Sequence, residues 1–221
     1  MAAVPAVHGV VFDIGETLFD RTREWAGWAA WFGTTPHTFS AVFGAVVAAG
    51  GGVDDVVQRF RPDSTYAQLR PEVDAAGLLP PLTESDLYPG ARAALQQLRD
   101  NGLVIGVAGN QPAAIGGQIR DLALPVDWVA VSAELGVRKP APAFFAECAE
   151  RCGVGTDQLL YVGDQLDQDV TASLAAGCQA GRVRTGPWGR LQHDRDVEAR
   201  CRVVVATIAQ LADALAADTE F

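Results

Sequence analysis

The chain has 221 residues, 49% of them hydrophobic and 20% charged, with a formal charge of −10 at pH 7. That length suits one full core plus a smaller unit, and that balance is far from the low-hydropathy composition of disordered chains. The negative charge repels polyanions and no basic patch offsets it, so no nucleic-acid partner is expected; no apolar run approaches the ~18 residues of a membrane span.

The N-terminal MAAVPAVHGVVFDIG lacks the basic start of a leader and carries Asp13 inside its apolar stretch, so the chain reads as cytoplasmic. Val7–Phe12 is apolar and rich in β-branched residues, and predicts a first buried strand. The stretch Asp20–Asp86 then lacks convincing strands and carries Ala, Trp and Phe at helical spacing. It predicts a helical insertion, bounded by the turn after Leu18 and the Pro-rich LLPPLTESDLYPG. Trp25, Trp28, Trp31 and Phe32 recur at helical spacing, which usually means packing between helices; Trp25, nearest the border, is the one expected to face a ligand.

From Gly90 onward helical and strand patterns alternate. Helices are expected at Gly90–Asn101, Pro112–Leu122, Pro142–Cys152, Asp169–Ala176 and Ile208–Ala217, and strands at Leu103–Ala108, Trp128–Val131, Leu159–Val162, Arg182–Arg184 and Val203–Val205. The alternation predicts an α/β fold with a doubly wound, Rossmann-like parallel sheet. Residues 1–19 and 87–221 form that core, and 20–86 the insertion. Trp188, in RTGPWG, is expected to pack near the sheet edge. Cys148, Cys152, Cys178 and Cys201 form no C-x-x-C pair and the three histidines are scattered, so the thiols read as free and a zinc site is not expected.

Ligands of open parallel sheets bind beyond the carboxyl ends of the strands. Four places qualify: Asp13, Asn110, Lys139 with Pro140, and Asp164 with Asp169. Each alone has a structural reading, as a helix cap or a tight turn. Together, carboxylates with a lysine and an amide suit a hard cation and a phosphoryl group. Of the 17 basic residues, 16 are arginine and the single lysine is Lys139, in GVRKPAP.

In order and spacing these motifs resemble those of the haloacid dehalogenase-like hydrolases, over nearly the whole chain. The resemblance implies that Asp13 is the nucleophile, that Thr17 is the motif's hydroxyl residue, and that Gly109-Asn110 stands where Ser or Thr precedes Asn. It implies that Lys139-Pro140 supplies the charge-holding lysine. Asp164, with Asp13 and the Gly15 carbonyl, would bind Mg2+, and Asp169 would orient the metal shell. Residues 20–86 become a small α-helical cap domain that closes over the site.

Phosphatases of this family usually carry a second Asp two residues after the nucleophile, acting as general acid and base; here that residue is Gly15. Glu16 follows directly and is the candidate substitute acid, although neighbouring side chains on an extended segment point opposite ways. Gly109 removes a hydroxyl donor, leaving backbone N–H groups and Asn110 for the phosphate. Arg21 or Arg23 could grip a carboxylate near the cap hinge, against a reading as a solvated helix start. The expected function is a Mg2+-dependent phosphatase of a small phosphorylated metabolite. The alternatives are an impaired phospho-ligand or partner-binding protein and, further off, a 2-haloacid dehalogenase, which needs no Mg2+. The phosphonate-cleaving chemistry requires a cap lysine, and 20–86 contains none.

Overall fold

The computed structural model of the chain describes residues 5–218. Six strands, β1 (Gly9–Phe12), β2 (Val104–Gly109), β3 (Trp128–Val131), β4 (Leu159–Gly163), β5 (Gln179–Val183) and β6 (Val203–Val205), form one sheet in the order β3-β2-β1-β4-β5-β6. All five pairings are parallel. The fifth strand begins at Gln179 rather than at the expected Arg182. Its polar Gln179 and small Ala180 and Gly181 leave no apolar run to read, and a Cβ at Gly181 would already lie 3.0 Å from Val162.

Strand side chains alternate between two covered faces, as a parallel sheet requires. Val10, Phe12, Ile105, Val107, Leu160 and Val162 face α5 (Ala91–Asp100), α6 (Ala113–Asp121) and α12 (Ile208–Asp218). Val11 and Tyr161 face the other layer, with Phe144, Phe145 and Cys148 of α8 (Pro142–Cys152) and Ala172 of α9 (Ala172–Ala175). The helix expected from Asp169 opens instead as a π-helical stretch, Leu166–Thr171, before α9. Such wide turns recur at functional sites.

Between β1 and α5 the chain forms α1 (Thr22–Trp31), α2 (Pro36–Ala48), α3 (Val53–Phe60) and α4 (Tyr66–Ala75). Their caps explain their starts: Thr35 accepts from the Thr38 N–H ahead of Pro36, and Thr65 with Gln68 forms a capping box. The four helices share an aromatic cluster of their own, in which Phe32 lies 4.9 Å from Phe60 and Trp28 4.8 Å from Tyr66. Burying a side chain such as Phe39 stabilises by about 1.5–3 kcal/mol. Trp28 and its neighbours therefore pack between helices, as the spacing predicts. Trp188, on the short α10 (Gly186–Leu191), borders a cavity at the sheet edge but turns its ring to the helical segment. Its ring meets Phe43 of α2 edge-on at 5.0 Å and joins the helical cluster.

The helical segment leaves and rejoins the sheet side by side: the Asp20 N–H donates to Asp86 O at 2.7 Å and the Tyr88 N–H to Leu18 O at 2.9 Å. Its return path crosses α1 closely, because a Cβ at Gly27 would lie 1.9 Å from the Leu78 carbonyl oxygen. Backbone cannot yield as a side-chain tip can. Gly27→Ala should cost about 1–3 kcal/mol in urea unfolding, the range for overpacking. Wild-type stability in that variant would mean the two segments are not in this contact.

Candidate active site

The three carboxyl strand ends β1, β2 and β4 converge on one group of buried charges. Lys139 Nζ donates to Asp13 Oδ1 at 2.7 Å and to Asp169 Oδ1 at 2.5 Å, and Lys139 is only 4% exposed. Thr17 Oγ1 donates to Asp164 Oδ1 at 3.3 Å. Asp169 Oδ2 accepts the Gln165 N–H at 2.9 Å, so both of its oxygens are engaged. Only glycine fits at Gly163, where a Cβ would lie 2.2 Å from Asp169 Cγ. The Gly-Asp-x4-Asp spacing thus has a packing reason here. Burial alone would lower the Lys139 ammonium, but Asp13 and Asp169 outweigh it and hold it well above the usual lysine range.

Oxygens of Asp13, Asp164 and Asp169 lie within 4.8 Å of one another. Three buried carboxylates against one ammonium leave a surplus of negative charge that a divalent cation would balance. Asp164 Oδ2 is buried with no hydrogen-bond partner, an arrangement costly for a carboxylate unless a cation meets it. Burial, and then the charges of Asp169 and Asp13, push the Asp164 carboxyl well above its ordinary value. This donor set of hard oxygens fits Mg2+.

Asn110 is committed to Lys139: its Nδ2 donates to Lys139 O at 3.0 Å and its Oδ1 accepts the Lys139 N–H at 2.9 Å. It holds the lysine's backbone and so aims Nζ. Asp13 leans over Gly109, where a Cβ would lie 2.5 Å from Asp13 Oδ1.

Glu16 is not brought into this group. It takes a left-handed conformation, φ 61°, in the tight turn Ile14–Phe19, so the reason is the turn rather than strand alternation. Its carboxylate accepts from Trp25 Nε1 at 3.0 Å and Tyr88 Oη at 2.7 Å, and its carbonyl accepts from Thr185. Burial raises its pKa against those two hydrogen bonds. Trp25 and Glu16 instead border a second, mainly apolar cavity of about 450 Å³ with Phe39, Phe43 and Tyr88.

The two arginines at the start of α1 part ways. Arg23 is half exposed and pairs with Asp86 at 2.8 Å, a structural contact. Arg21, at the N-cap of α1, is part-buried: Glu24 accepts from it at 2.5 and 3.0 Å, Tyr66 Oη at 2.8 Å, and its guanidinium lies 4.3 Å over the Trp25 ring. It is not a solvated helix start.

Asp13, Gly15, Arg21, Asn110 and Lys139 line a cavity of about 370 Å³ between the sheet edge and the helical segment. Sequence reasoning missed part of the wall. The GGGVDD stretch opening α3 faces this cavity, as do Trp188 and Gln192. The run of three glycines, Gly50–Gly52, was the available signal for the first; nothing local marked Gln192.

Residues 7–177 match the family model of the haloacid dehalogenase-like hydrolases. The chain is 32% identical to a phosphoglycolate phosphatase of Cereibacter sphaeroides over 183 residues, covering 76% of this chain and 81% of that one. It is 34% identical to a glyceraldehyde 3-phosphate phosphatase of Methanopyrus kandleri over 113 residues, about half of each protein (49% and 48%). Among solved structures, a magnesium-bound HAD-hydrolase of Bacillus subtilis superposes with a TM-score of 0.69 at 16% identity, over 96% of this chain and 99% of that one. A dehalogenase superposes with a TM-score of 0.66 at 17% identity, over 95% and 97%. Both likenesses concern the fold. No helix among the described residues is long and apolar enough to cross a membrane.

The orphaned Asp164 oxygen yields a prediction that needs no substrate. A carboxyl raised by the fold is destabilising once it ionises, that is, as pH rises above its unfolded value, so at neutral pH the metal-free protein bears this cost. Asp164→Asn should therefore melt higher than wild type in EDTA. It should also lose the Mg2+-dependent gain, which for a site held at 100 times its Kd is about 2.7 kcal/mol. Equal Mg2+ stabilisation of variant and wild type in thermal melts would remove Asp164 from the metal site.

Proposed function

Since the chain belongs to the haloacid dehalogenase-like hydrolases, we propose that it is a Mg2+-dependent phosphatase of a small phosphorylated metabolite, with Asp13 as nucleophile. The single observation that carries this reading is the buried Asp13–Lys139–Asp169 group with the unpartnered Asp164 Oδ2 beside it, next to a cavity that Asp13 and Lys139 line. The names of the phosphatase relatives support the substrate class.

An oxygen of Asp13 attacks phosphorus, the bond to the leaving oxygen breaks, and Asp13 carries the phosphoryl group. Water then attacks phosphorus, phosphate departs, a proton goes to solvent and the Asp13 carboxylate returns. Lys139 holds Asp13 in one orientation and offsets charge through both steps. Asn110 and Asp169 position Lys139. Asp13, Asp164 and the Gly15 carbonyl would hold Mg2+, which supplies positive charge to the phosphoryl oxygens when bound. Residues 20–86 act as the cap that excludes water, with Arg21 on its inner wall.

Gly15 leaves both steps without the customary acid and base, a loss worth ~10²–10⁴-fold for each group so employed. An activated leaving group can depart unaided, whereas water still has to be deprotonated. The second step is therefore the slower one for such substrates. The rival reading, a binding protein for a phospho-ligand, draws on the same Gly15 and Gly109.

Rapid mixing with an aryl phosphate and Mg2+ should show a burst of about one aryl oxide per active site before slower steady turnover. A linear trace places the slow step elsewhere, and no release at high enzyme concentration favours the binding protein. Asp13→Asn is nearly isosteric and should fold normally while losing both burst and turnover, since an amide is a poor nucleophile. Retained turnover would exclude Asp13 as the nucleophile.

A further inference from the structure

Arg21 occupies the space that Gly15 leaves open. A Cβ built at Gly15 would lie 2.5 Å from Arg21 Cδ and 3.4 Å from its Nη1. The guanidinium thus sits directly above the residue two places after Asp13, inside the same cavity.

Its placement is rigid. Nε and Nη2 are taken up by Glu24 and Tyr66, and the guanidinium plane stacks on Trp25. Nε, 3.3 Å from the Gly15 Cβ position, is held by Glu24, whereas Nη1, at 3.4 Å, takes no part in those bonds. Arg70 also pairs with Glu24, at 2.6 Å. Two guanidinium groups share the Glu24 carboxylate, and the Glu16 carboxylate, engaged by Trp25 and Tyr88, is the further negative charge acting on Arg21. Burial works against ionised Glu24, but Arg21 and Arg70 overcome it and bring its pKa to about 2, so the cluster stays fully charged across the working pH range. In a protein of formal charge −10, a part-buried, locked cation lining the same cavity as Asp13 calls for an anion.

Guanidinium does not act as a proton donor in catalysis, because it stays protonated at every accessible pH. It can only stabilise negative charge that develops and remains. Resting on the phosphatase reading above, we infer that Arg21 is the leaving-group residue, and that the substrate class is phosphates whose leaving oxygen departs as an anion, above all the carboxylate of an acyl phosphate. The Asp13 oxygen forms a bond to phosphorus, the phosphorus–oxygen bond to the acyl group breaks, and its electron pair leaves on the carboxylate, which Arg21 receives through Nη1. No proton is needed in this step. Gly15 is then the position that makes room for the arginine.

The test uses the full chain with Mg2+, acetyl phosphate and a series of aryl phosphates of graded leaving-group acidity, with release followed in the first turnover. Wild type should show a shallow dependence on leaving-group acidity. Arg21→Gln should lower kcat/KM by roughly 10²-fold on acetyl phosphate, the low end for removing one preorganised electrostatic donor. It should also steepen the dependence across the aryl series, because the poorest leaving groups need the charge most. Arg21→Lys keeps a charge without the fork and should recover part of the loss, which covers the case in which Arg21→Gln does not fold. Gly15→Asp combined with Arg21→Ala replaces the cation by an acid, and should shift preference toward alkyl phosphates.

An unchanged slope in Arg21→Gln, with turnover retained, overturns the inference and leaves the phosphatase reading standing. So does a rise in KM alone for carboxylate-bearing alkyl phosphates, which would make Arg21 a binding group for a distant carboxylate. Absence of wild-type turnover on every phosphate overturns both.

Discussion

One ammonium group balances the buried carboxylates that the parallel sheet brings together. Asp13 follows β1 and Asp164 follows β4, its neighbour in the sheet, so their proximity is a direct result of strand order. Lys139 reaches them from the loop after β3 and α7 (Ser132–Leu135), with Asn110 gripping its backbone at both the N–H and the carbonyl. Without that ammonium, Asp13 and Asp169 would face each other unscreened in a low-dielectric interior, where like charges repel strongly. The surplus negative charge that remains, concentrated on the unpartnered Asp164 oxygen, is the physical reason the site suits a cation.

The helical segment depends on the same site from the opposite side. Its first helix is preceded by the N-cap residue Arg21, whose side chain fills the gap above Gly15, and its aromatic cluster receives Trp188 from the core. Glu16 ties the two parts again, accepting from Trp25 in α1 and from Tyr88 on the returning segment. A movement of the segment would therefore have to break polar bonds made by Glu16, three residues after Asp13. Glycine at position 15 and the start of the helical segment are parts of one arrangement: the glycine is matched by an arginine eight residues away from Asp13.

The six strands, the α/β class and the helical character of 20–86 were legible because hydrophobic periodicity is a local signal that tertiary packing reinforces in a parallel sheet. Asp13, Lys139, Asp164 and Asp169 were legible because residues at strand ends must project from the edge where ligands bind, and a lone lysine in an arginine-rich chain marks itself. β5 was placed too late because Ala180 and Gly181 pack by being small, which leaves no hydrophobic trace.

What the sequence by itself determined is which chemical groups reach the sheet edge, since strand order and chain connectivity carry them there. Which way they point was decided only by the tertiary structure. Glu16 and Arg21 lie five residues apart with opposite charges; a left-handed turn sends the carboxylate to Trp25 and Tyr88, and a carboxylate on α1 with Tyr66 and Arg70 on α4 pins the guanidinium over Gly15. These contacts join residues up to 72 positions apart, and no local pattern encodes a hydrogen bond across that distance.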